Sequence, residues 1–418
     1  MEVKPGYKQT EVGVIPEDWD VKKLGAVVEK FVNGGTPSTK NENYWTGNIP
    51  WITGADILNQ KVADVRRHIT KEAVKCSSTN VIGKGNLLLV SRTGVGKLAI
   101  APFDIAISQD FTGVYVREDT LIPEYLYRYF DFNQAVLQGQ NQGTSIKGIT
   151  RDTLSAICIP LPPTKAEQRA IAEALGNADA LLATLEKLIA KKRDLKQGAM
   201  QQLLTGKKRL PGFIGEWSSR VMSDVCWFQE GPGVRNTQFT SSGIKLLNGT
   251  NIFRGRINLD TTDRFISLME AHGPYAHFLA DAGDIVIACS GISIDKFHEK
   301  VAVVTEAHLP FCMNTSTMRF KPHHDSLLSP YLYHFLMSEI FKSQIGSQAT
   351  GSAQLNFGPS HVANVTLLLP ELAEQTAIAG VLSDMDAELA VLEQRLAKTR
   401  ALKQGMMQEL LTGKTRLI

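Results

Sequence analysis

The sequence lacks the patterns that would place its chemistry in a thiol framework, a metal cluster or a membrane. Its five cysteines, Cys76, Cys158, Cys226, Cys289 and Cys312, form no CxxC pair. A disulfide frame and a thiolate zinc site are therefore set aside, and buried free thiols in a reducing compartment are expected. No apolar run approaches the roughly 20 residues that a bilayer-spanning helix needs. The opening MEVKPGYKQTEVG has no apolar signal core, so a cytoplasmic protein without a membrane partner is the expectation. Neither sign of charge dominates: 45 Lys+Arg stand against 42 Asp+Glu, a formal net charge of +3. Such a balance neither demands nor excludes nucleic acid. With 43% hydrophobic and 21% charged residues the chain is a globular protein rather than a disordered one. At 418 residues it is too long for one core, and two or three domains are expected.

Catalytic motifs are missing as well. Gly94 to Lys97 hints at a phosphate loop, but Ser91 stands where the first glycine belongs and Leu98 where a hydroxyl should bind magnesium. Leu161-Pro-Pro-Thr164 lacks the polar residue before, and the aromatic after, that an amino-methyltransferase tetrapeptide carries. There is no nuclease carboxylate and lysine cluster and no nucleophile arrangement. His323 and His324 share the loop KPHHDS without further ligands. No catalytic residue, no metal site and no cofactor is assigned to this chain.

What the sequence does contain is itself, twice. LKQGAMQQLLTGKKRL at Leu195 returns as LKQGMMQELLTGKTRL at Leu402, 207 positions later. The same shift holds without a gap from Ala166 to Leu210, with about two positions in three identical. Both copies begin after proline, and their apolar residues alternate at spacings of four and three: Ile171, Leu175, Ala178, Leu182, Leu185 and Ile189, then Ile378, Leu382, Met385, Leu389, Leu392 and Leu396. That is a heptad seam. Each run continues for about 40 residues, past the usual helix length, and would extend ~60 Å. The roughly 160 residues between the copies would fold with a radius of gyration near ~15 Å. Their ends cannot bridge ~60 Å, so the two helices are expected to pack antiparallel.

The repeat includes the globular parts. Trp19 and Trp217 head matching stretches, WITGADI answers LLNGTNI, and YLYRYF answers YLYHFL. Strand-like runs such as NLLLV, DIVIA and VAVVT alternate with Gly-rich loops. The expected architecture is α+β: two mixed α/β domains with curved, largely antiparallel sheets, at opposite poles of an antiparallel two-helix coiled coil with pseudo-twofold, circular symmetry. The boundaries read as residues 1–163, a helical region 164–210, a second domain 211–370 and a second helical region 371–418. The circular relation places the last residue, Ile418, near the start of the first domain. Trp45 and Trp51 are expected in the core.

Two similar frames carrying different heads suit a reader of two different half-sites on DNA. Loops rich in glycine, hydroxyl, amide and basic residues supply the contact candidates. In the first head these are Thr36, Lys40, Arg92, Thr93, Lys97 and Lys147. In the second they are Asn251, Arg254, Arg256, Lys296 and Gln354. The rival readings are a stand-alone methyltransferase or nuclease, and a structural coiled-coil adaptor that ignores DNA.

The E-Q-x-x-I-A helix starts at Glu167 and Glu374, the paired KQG…LLTGK…R-L endings, the GGTP…YW…IPW-T-G-A-D run and the later S-R-x-G-x-x-G-K loop resemble the specificity subunits of type I restriction-modification enzymes. The likeness spans essentially the whole chain, and the second head departs from the family phrases at LNGTNI and SGISID. It implies a non-catalytic subunit whose two target recognition domains each bind half of a bipartite site on double-stranded DNA, while the helices set the spacer. It also implies two modification (methyltransferase) subunits docked on those helices, which carry S-adenosylmethionine, and restriction (ATP-dependent translocase and nuclease) subunits that use ATP and Mg and can join them. Two symmetric partner copies favour the repeated Lys196, Gln197, Gln201, Lys403, Gln404 and Gln408 as a docking face over a merely solvated one, while Gly198 and Gly405 read equally as a close helix approach or as helix termination. A subunit clamped on DNA by such partners need not itself be strongly basic.

Overall fold

The computed structural model describes residues 4–139, 148–346 and 354–417. It divides into two compact units, Met1–Glu186 with Gln394–Ile418, and Lys187–Glu393. Each unit combines one globular head with half of each of two long helices, Lys165–Leu203 and Leu372–Leu410.

The helices start and stop for local reasons. Thr164 Oγ1 accepts the Glu167 amide at 3.2 Å, an N-terminal cap placed just after two prolines. At the other end Thr205 and Thr412 return their hydroxyls to the carbonyls of Gln201 and Gln408. Gly206 and Gly413 then adopt φ of +68° and +69°, the left-handed conformation that closes a helix and favours glycine. The helical segments accordingly end at Leu203 and Leu410, and the repeated TGK motifs are their exits rather than their last turns.

In the first unit, a four-stranded antiparallel sheet runs in the order Leu98–Ile100, Leu87–Val90, Phe111–Val116, Val28–Asn33. A second sheet, Arg67–Ile69, Ile49–Ile52, Ile105–Ile107, Asn80–Ile82, contains one parallel pair, in which Ala106 faces Trp51. The core of this unit gathers Trp19, Leu87, Tyr125 and Phe130 with Ile171 and Leu175 of the first long helix and Met407 and Leu410 of the second. Trp45 and Trp51 meet edge to face at 5.1 Å among the hydrophobic residues of the second sheet.

The second unit repeats this plan. Its antiparallel sheet orders Cys226–Glu230, Thr317–Pro322, Ile285–Ala288 and Val301–Val303. Its smaller sheet orders Phe265–Ile266, Ile244–Leu247 and Phe311–Met313, again with one parallel pair. Met200, Leu203, Ile378 and Leu382 of the long helices enter its core beside Tyr331 and Phe335.

Within each unit the two helix halves run in opposite directions. In the first, Asp179 pairs with Lys403 at 2.8 Å and Glu186 with Arg400 at 2.5 Å. In the second, Lys192 pairs with Glu388 at 2.6 Å, Arg193 with Glu393, and Lys196 with Asp386 at 2.5 Å. From Asp179 to Glu186 the partner number falls from 403 to 400, and from Arg193 to Lys196 it falls from 393 to 386, as antiparallel packing requires.

The E-Q motif is a fastener. Glu167, almost fully buried, receives Arg416 Nε at 2.5 Å, and Arg416 also reaches Asp18 at 2.8 Å. Glu374 receives Arg209 Nε at 2.5 Å and the Trp217 indole N–H at 3.1 Å. These partners hold the Asp18 carboxyl below its ordinary range and raise both arginines above theirs. Gln168 accepts from the Ile122 amide and donates to the Thr120 carbonyl, while Gln375 accepts from the Leu328 amide and donates to the Ser326 carbonyl. Each glutamine thus ties its helix start to the entry of the head helix, Pro123–Phe132 or Ser329–Leu336. In the first unit the C-terminal segment also rests on the N-terminal one, with Tyr7 Oη donating to the Lys414 carbonyl at 3.2 Å. Ile418 itself lies outside the described residues.

The cysteines need one correction. Cys226, Cys289 and Cys312 are buried, and burial pushes each thiol up to about 12. Cys158 is only half buried, and Cys76 is exposed beside the short helix Lys71–Lys75.

Candidate nucleic-acid interface

Three loops of the first unit converge because two glycines let them. A Cβ on Gly34 would fall 2.1 Å from the Ser108 carbonyl oxygen, and one on Gly35 would fall 2.1 Å from Ser78 Oγ. The chain after strand Val28–Asn33 therefore lies directly on the turn Ser108–Phe111, and Thr36 Oγ1 donates to Gln109 Oε1 at 3.0 Å. The amides of Ser91 and Arg92 both donate to the Asp110 carbonyl, at 2.8 and 3.2 Å. The Ile149 amide donates to the Ser91 carbonyl at 2.8 Å, bringing the end of the GTSIKG segment to the same place. Arg92 and Thr93 are exposed there, Thr36 is half buried, and Lys40 is exposed at the end of its loop. Lys147 lies outside the described residues.

The second unit assembles the same three parts with different side chains. Ser290 Oγ and the Gly291 amide both donate to Asn356 Oδ1, at 3.0 and 2.7 Å. Ser293 pairs with Gln354 in a short antiparallel ladder, so Gln354, exposed, belongs to this cluster. Lys296 is exposed on the 3-10 helix Ile294–Glu299.

Two of the expected contact residues are committed inside the fold. Lys97 Nζ donates to the Gly54 carbonyl at 2.9 Å, tying its loop to the turn Gly54–Asp56. Asn251 is buried: its Oδ1 accepts the Asn248 amide at 2.9 Å and its Nδ2 donates to Thr261 Oγ1 at 2.8 Å. It caps the turn as Asp56 does in the first unit, where Oδ2 accepts the Thr53 amide at 2.8 Å. The true counterpart of Lys97 is Lys300, whose ammonium donates to the Gly249 and Ile252 carbonyls at 3.0 and 2.8 Å. Burial lowers the pKa of that ammonium. Sequence alone could not pair them, because the second loop is longer. Replacing Lys97 with methionine is expected to lower the stability of the first unit by about 1–2 kcal/mol; an unchanged thermal melt would show that the tie carries no weight.

Beyond these turns each unit carries a tight hairpin, Ile57–Leu58 with Lys61–Val62 and Ile252–Phe253 with Arg256–Ile257. Both tip residues have positive φ, Asn59 and Gln60 in one and Arg254 and Gly255 in the other, as a primed turn requires. Arg254 lies over the Phe253 ring at 5.0 Å and reaches Glu299 at 3.3 Å, and Arg256 is exposed.

On the long helices the expected docking face divides. Lys196 is buried against Asp386, and Lys403 is held between Asp179 at 2.8 Å and Asp131 at 3.8 Å. These lysines fasten helix to helix and are not free for a partner. Gln201, Gln404 and Gln408 are exposed, and Gln197 is half buried. A Cβ at Gly198 or Gly405 would meet nothing within 4 Å, so packing inside the chain does not demand either glycine. A cleft of about 770 Å³ in the first unit is lined by Lys61, Glu124, Arg128, Arg169, Glu173 and Asp179 among others. Its mixed charges set it apart from a phosphate-binding surface. Among the described residues no group of three or more His, Cys, Asp or Glu is arranged to hold a metal ion, and no helix is long and apolar enough to cross a membrane.

The family described as the type I restriction modification DNA specificity domain matches twice, over residues 16–194 and 215–399. The chain is 26% identical over 415 residues to the type I restriction enzyme MjaVIII specificity subunit of Methanocaldococcus jannaschii, covering 96% of this chain and 94% of that one. It is 37% identical over 186 residues to the MjaIX specificity subunit of the same organism, covering 43% of this chain and 42% of that one. In fold it is similar to the crystal structure of the type I S subunit from M. genitalium, with a TM-score of 0.59, 14% identity and 98% of both chains covered. With both globular units matched, the chain belongs to the type I restriction-modification DNA specificity family.

Proposed function

We propose that this chain is the non-catalytic DNA-recognition subunit of a type I restriction-modification complex, each unit binding one half of a bipartite site. The observation that carries this reading is the pair of convergent loop clusters: the same backbone frame appears in both units, while the polar side chains on it differ, Thr36, Arg92 and Thr93 in one and Ser290, Gln354 and Asn356 in the other. One frame with two sets of polar side chains suits two different half-sites. The helices set the spacer between the half-sites. They also dock two modification subunits through Gln201, Gln404 and Gln408, and restriction subunits join the assembly. S-adenosylmethionine, ATP and Mg belong to those partners.

The test compares the purified chain alone with the chain assembled on its modification subunits, given S-adenosylmethionine and a random duplex library. The chain alone is expected to transfer no methyl groups. The assembly is expected to methylate one split sequence in preference to all others. Methyl transfer by the chain alone, or equal methylation of every duplex, would overturn the reading.

A further inference from the structure

The two units share one turn and differ at its most exposed position. In the first unit, the Ser108 amide donates to the Ile52 carbonyl at 2.9 Å, the Phe111 amide closes the turn on the Ser108 carbonyl at 3.1 Å, and the Gly34 amide donates to the Phe111 carbonyl at 3.2 Å. In the second, the Asn314 amide donates to the Leu247 carbonyl at 3.1 Å, the Thr317 amide closes on the Asn314 carbonyl at 2.9 Å, and the Gly231 amide donates to the Thr317 carbonyl at 2.9 Å. The third residue of each turn offers its carbonyl to the neighbouring loop, Asp110 to Ser91 at 2.8 Å and Ser316 to Cys289 at 2.9 Å. Bond for bond the turns match.

Both turns are also pressed from behind. A Cβ on Gly231 would fall 2.3 Å from the Asn314 carbonyl oxygen, as one on Gly34 falls 2.1 Å from that of Ser108. The backbone of the second turn residue is therefore fixed by long-range pairing on three sides, while its side chain is exposed. That residue is Gln109 in one unit and Thr315 in the other. The Thr36 hydroxyl orients the Gln109 amide, and among the described residues its Nε2 donors and the second lone pair of Oε1 are open. Opposite Thr315 stands Gly233, close enough that a Cβ there would lie 3.6 Å from the threonine methyl.

We infer that Gln109 and Thr315 are equivalent base-reading residues, one for each half-site. An oriented amide matches the N6 and N7 edge of adenine, and a threonine methyl matches the 5-methyl of thymine. A rigid backbone with a variable side chain is what discrimination needs, because the side chain is delivered to the same depth in both units while its chemistry changes. This inference rests on the bipartite-recognition reading above and names residues within it.

The experiment uses the full chain assembled with its modification subunits and reads the selected duplexes from a random library by sequencing. Gln109→Ala is expected to lose about tenfold or more of the preference at one adenine of the first half-site, with the second half-site unchanged. Gln109→Glu should move that preference toward cytosine, whose N4 donates to a carboxylate. Thr315→Ala should flatten one position of the second half-site several-fold and leave the first intact. Both side chains are exposed, so thermal melts of the variants should overlay that of the parent. An unchanged first half-site in both Gln109 variants would overturn the inference while the parent still selects a split site. Uniform weakening on every sequence would also overturn it, since it would mark a backbone contact. A parent chain that selects no split site would instead bring down the recognition reading together with this one.

Discussion

Replacing Arg319 with methionine is expected to destabilise the second unit by about 3–5 kcal/mol, the loss seen when one partner of a buried ion pair is removed. Arg319 is 5% exposed and Asp284, 3.2 Å away, is 3% exposed. Its guanidinium also donates to the Leu279 carbonyl at 2.6 Å, the His277 carbonyl at 2.7 Å and Gln229 Oε1 at 3.1 Å, and it lies over the Trp227 ring at 5.0 Å. Methionine fills much of the volume but removes the donor to two carbonyls and leaves the buried Asp284 carboxylate with the Asp281 amide at 3.0 Å in place of its buried cation. Lys321, at 3.4 Å from Asp284, is half exposed and cannot replace a planar donor inside the sheet. Hydrogen exchange reads the effect by unit: protection of Ile285–Ala288 should collapse while that of Leu87–Val90 stays. Equal loss in both strands, or in neither, would refute a local role. Adding Asp284→Asn should recover part of the loss, because the stranded charge is then gone.

Acid should weaken the second unit through His334. Its ring is 1% exposed and occupies the place that Arg128 takes in the first unit, where the guanidinium is paired with Asp179. Nε2 meets Ser383 Oγ at 3.1 Å, and Nδ1 is buried with no hydrogen-bond partner, 3.8 Å from Asp386. The Asp386 carboxylate alone would favour the imidazolium, but Lys196 already neutralises it. Burial, then the Lys196 charge, push the pKa of His334 down to about 3. In the unfolded chain histidine titrates near 6.5. Between those values only the unfolded chain takes up the proton. Stability from this group is therefore complete above pH ~6.5 and falls by about 1.4 kcal/mol per pH unit below it, until pH ~3. Denaturant titrations at pH 6 and pH 4 should differ by roughly 2–3 kcal/mol more in the parent than in a His334→Gln variant. Identical pH slopes in the two proteins would disprove the assignment.

The large features were legible because they repeat. The 207-residue shift located both long helices, and their antiparallel course followed from the size of the intervening globule. The strands NLLLV and DIVIA were visible as apolar runs. The site was legible only in part, for a physical reason. Glycine-rich polar loops signal where the chain turns, but not whether a side chain points outward or back into the turn. Lys97 and Asn251 look like contact residues in one dimension and prove to be a loop tie and a cap. Gln109, in the plain run ISQDF, carries no local signal. Its exposure depends on the parallel pairing of Ile105–Ile107 with Ile49–Ile52 and on Gly34 pressing from a third segment. The ion pairs of Lys196 and Lys403 were equally hidden, since an amphipathic pattern does not say which polar residue will find an acid on the neighbouring helix.

The two arginine fasteners have a consequence for inheritance. Glu167 and Arg209 lie in the first copy of the repeat, Glu374 and Arg416 in the second, and each glutamate is bound by the arginine of the opposite copy. A mutation in either copy must therefore suit a residue inherited through the other, which ties the two histories together at the helix ends. The loops around Gln109 and Thr315 answer only to their own unit. Within this chain the loop positions are therefore free to change without disturbing either fastener, whereas a change at Glu167, Arg209, Glu374 or Arg416 must be answered across the repeat.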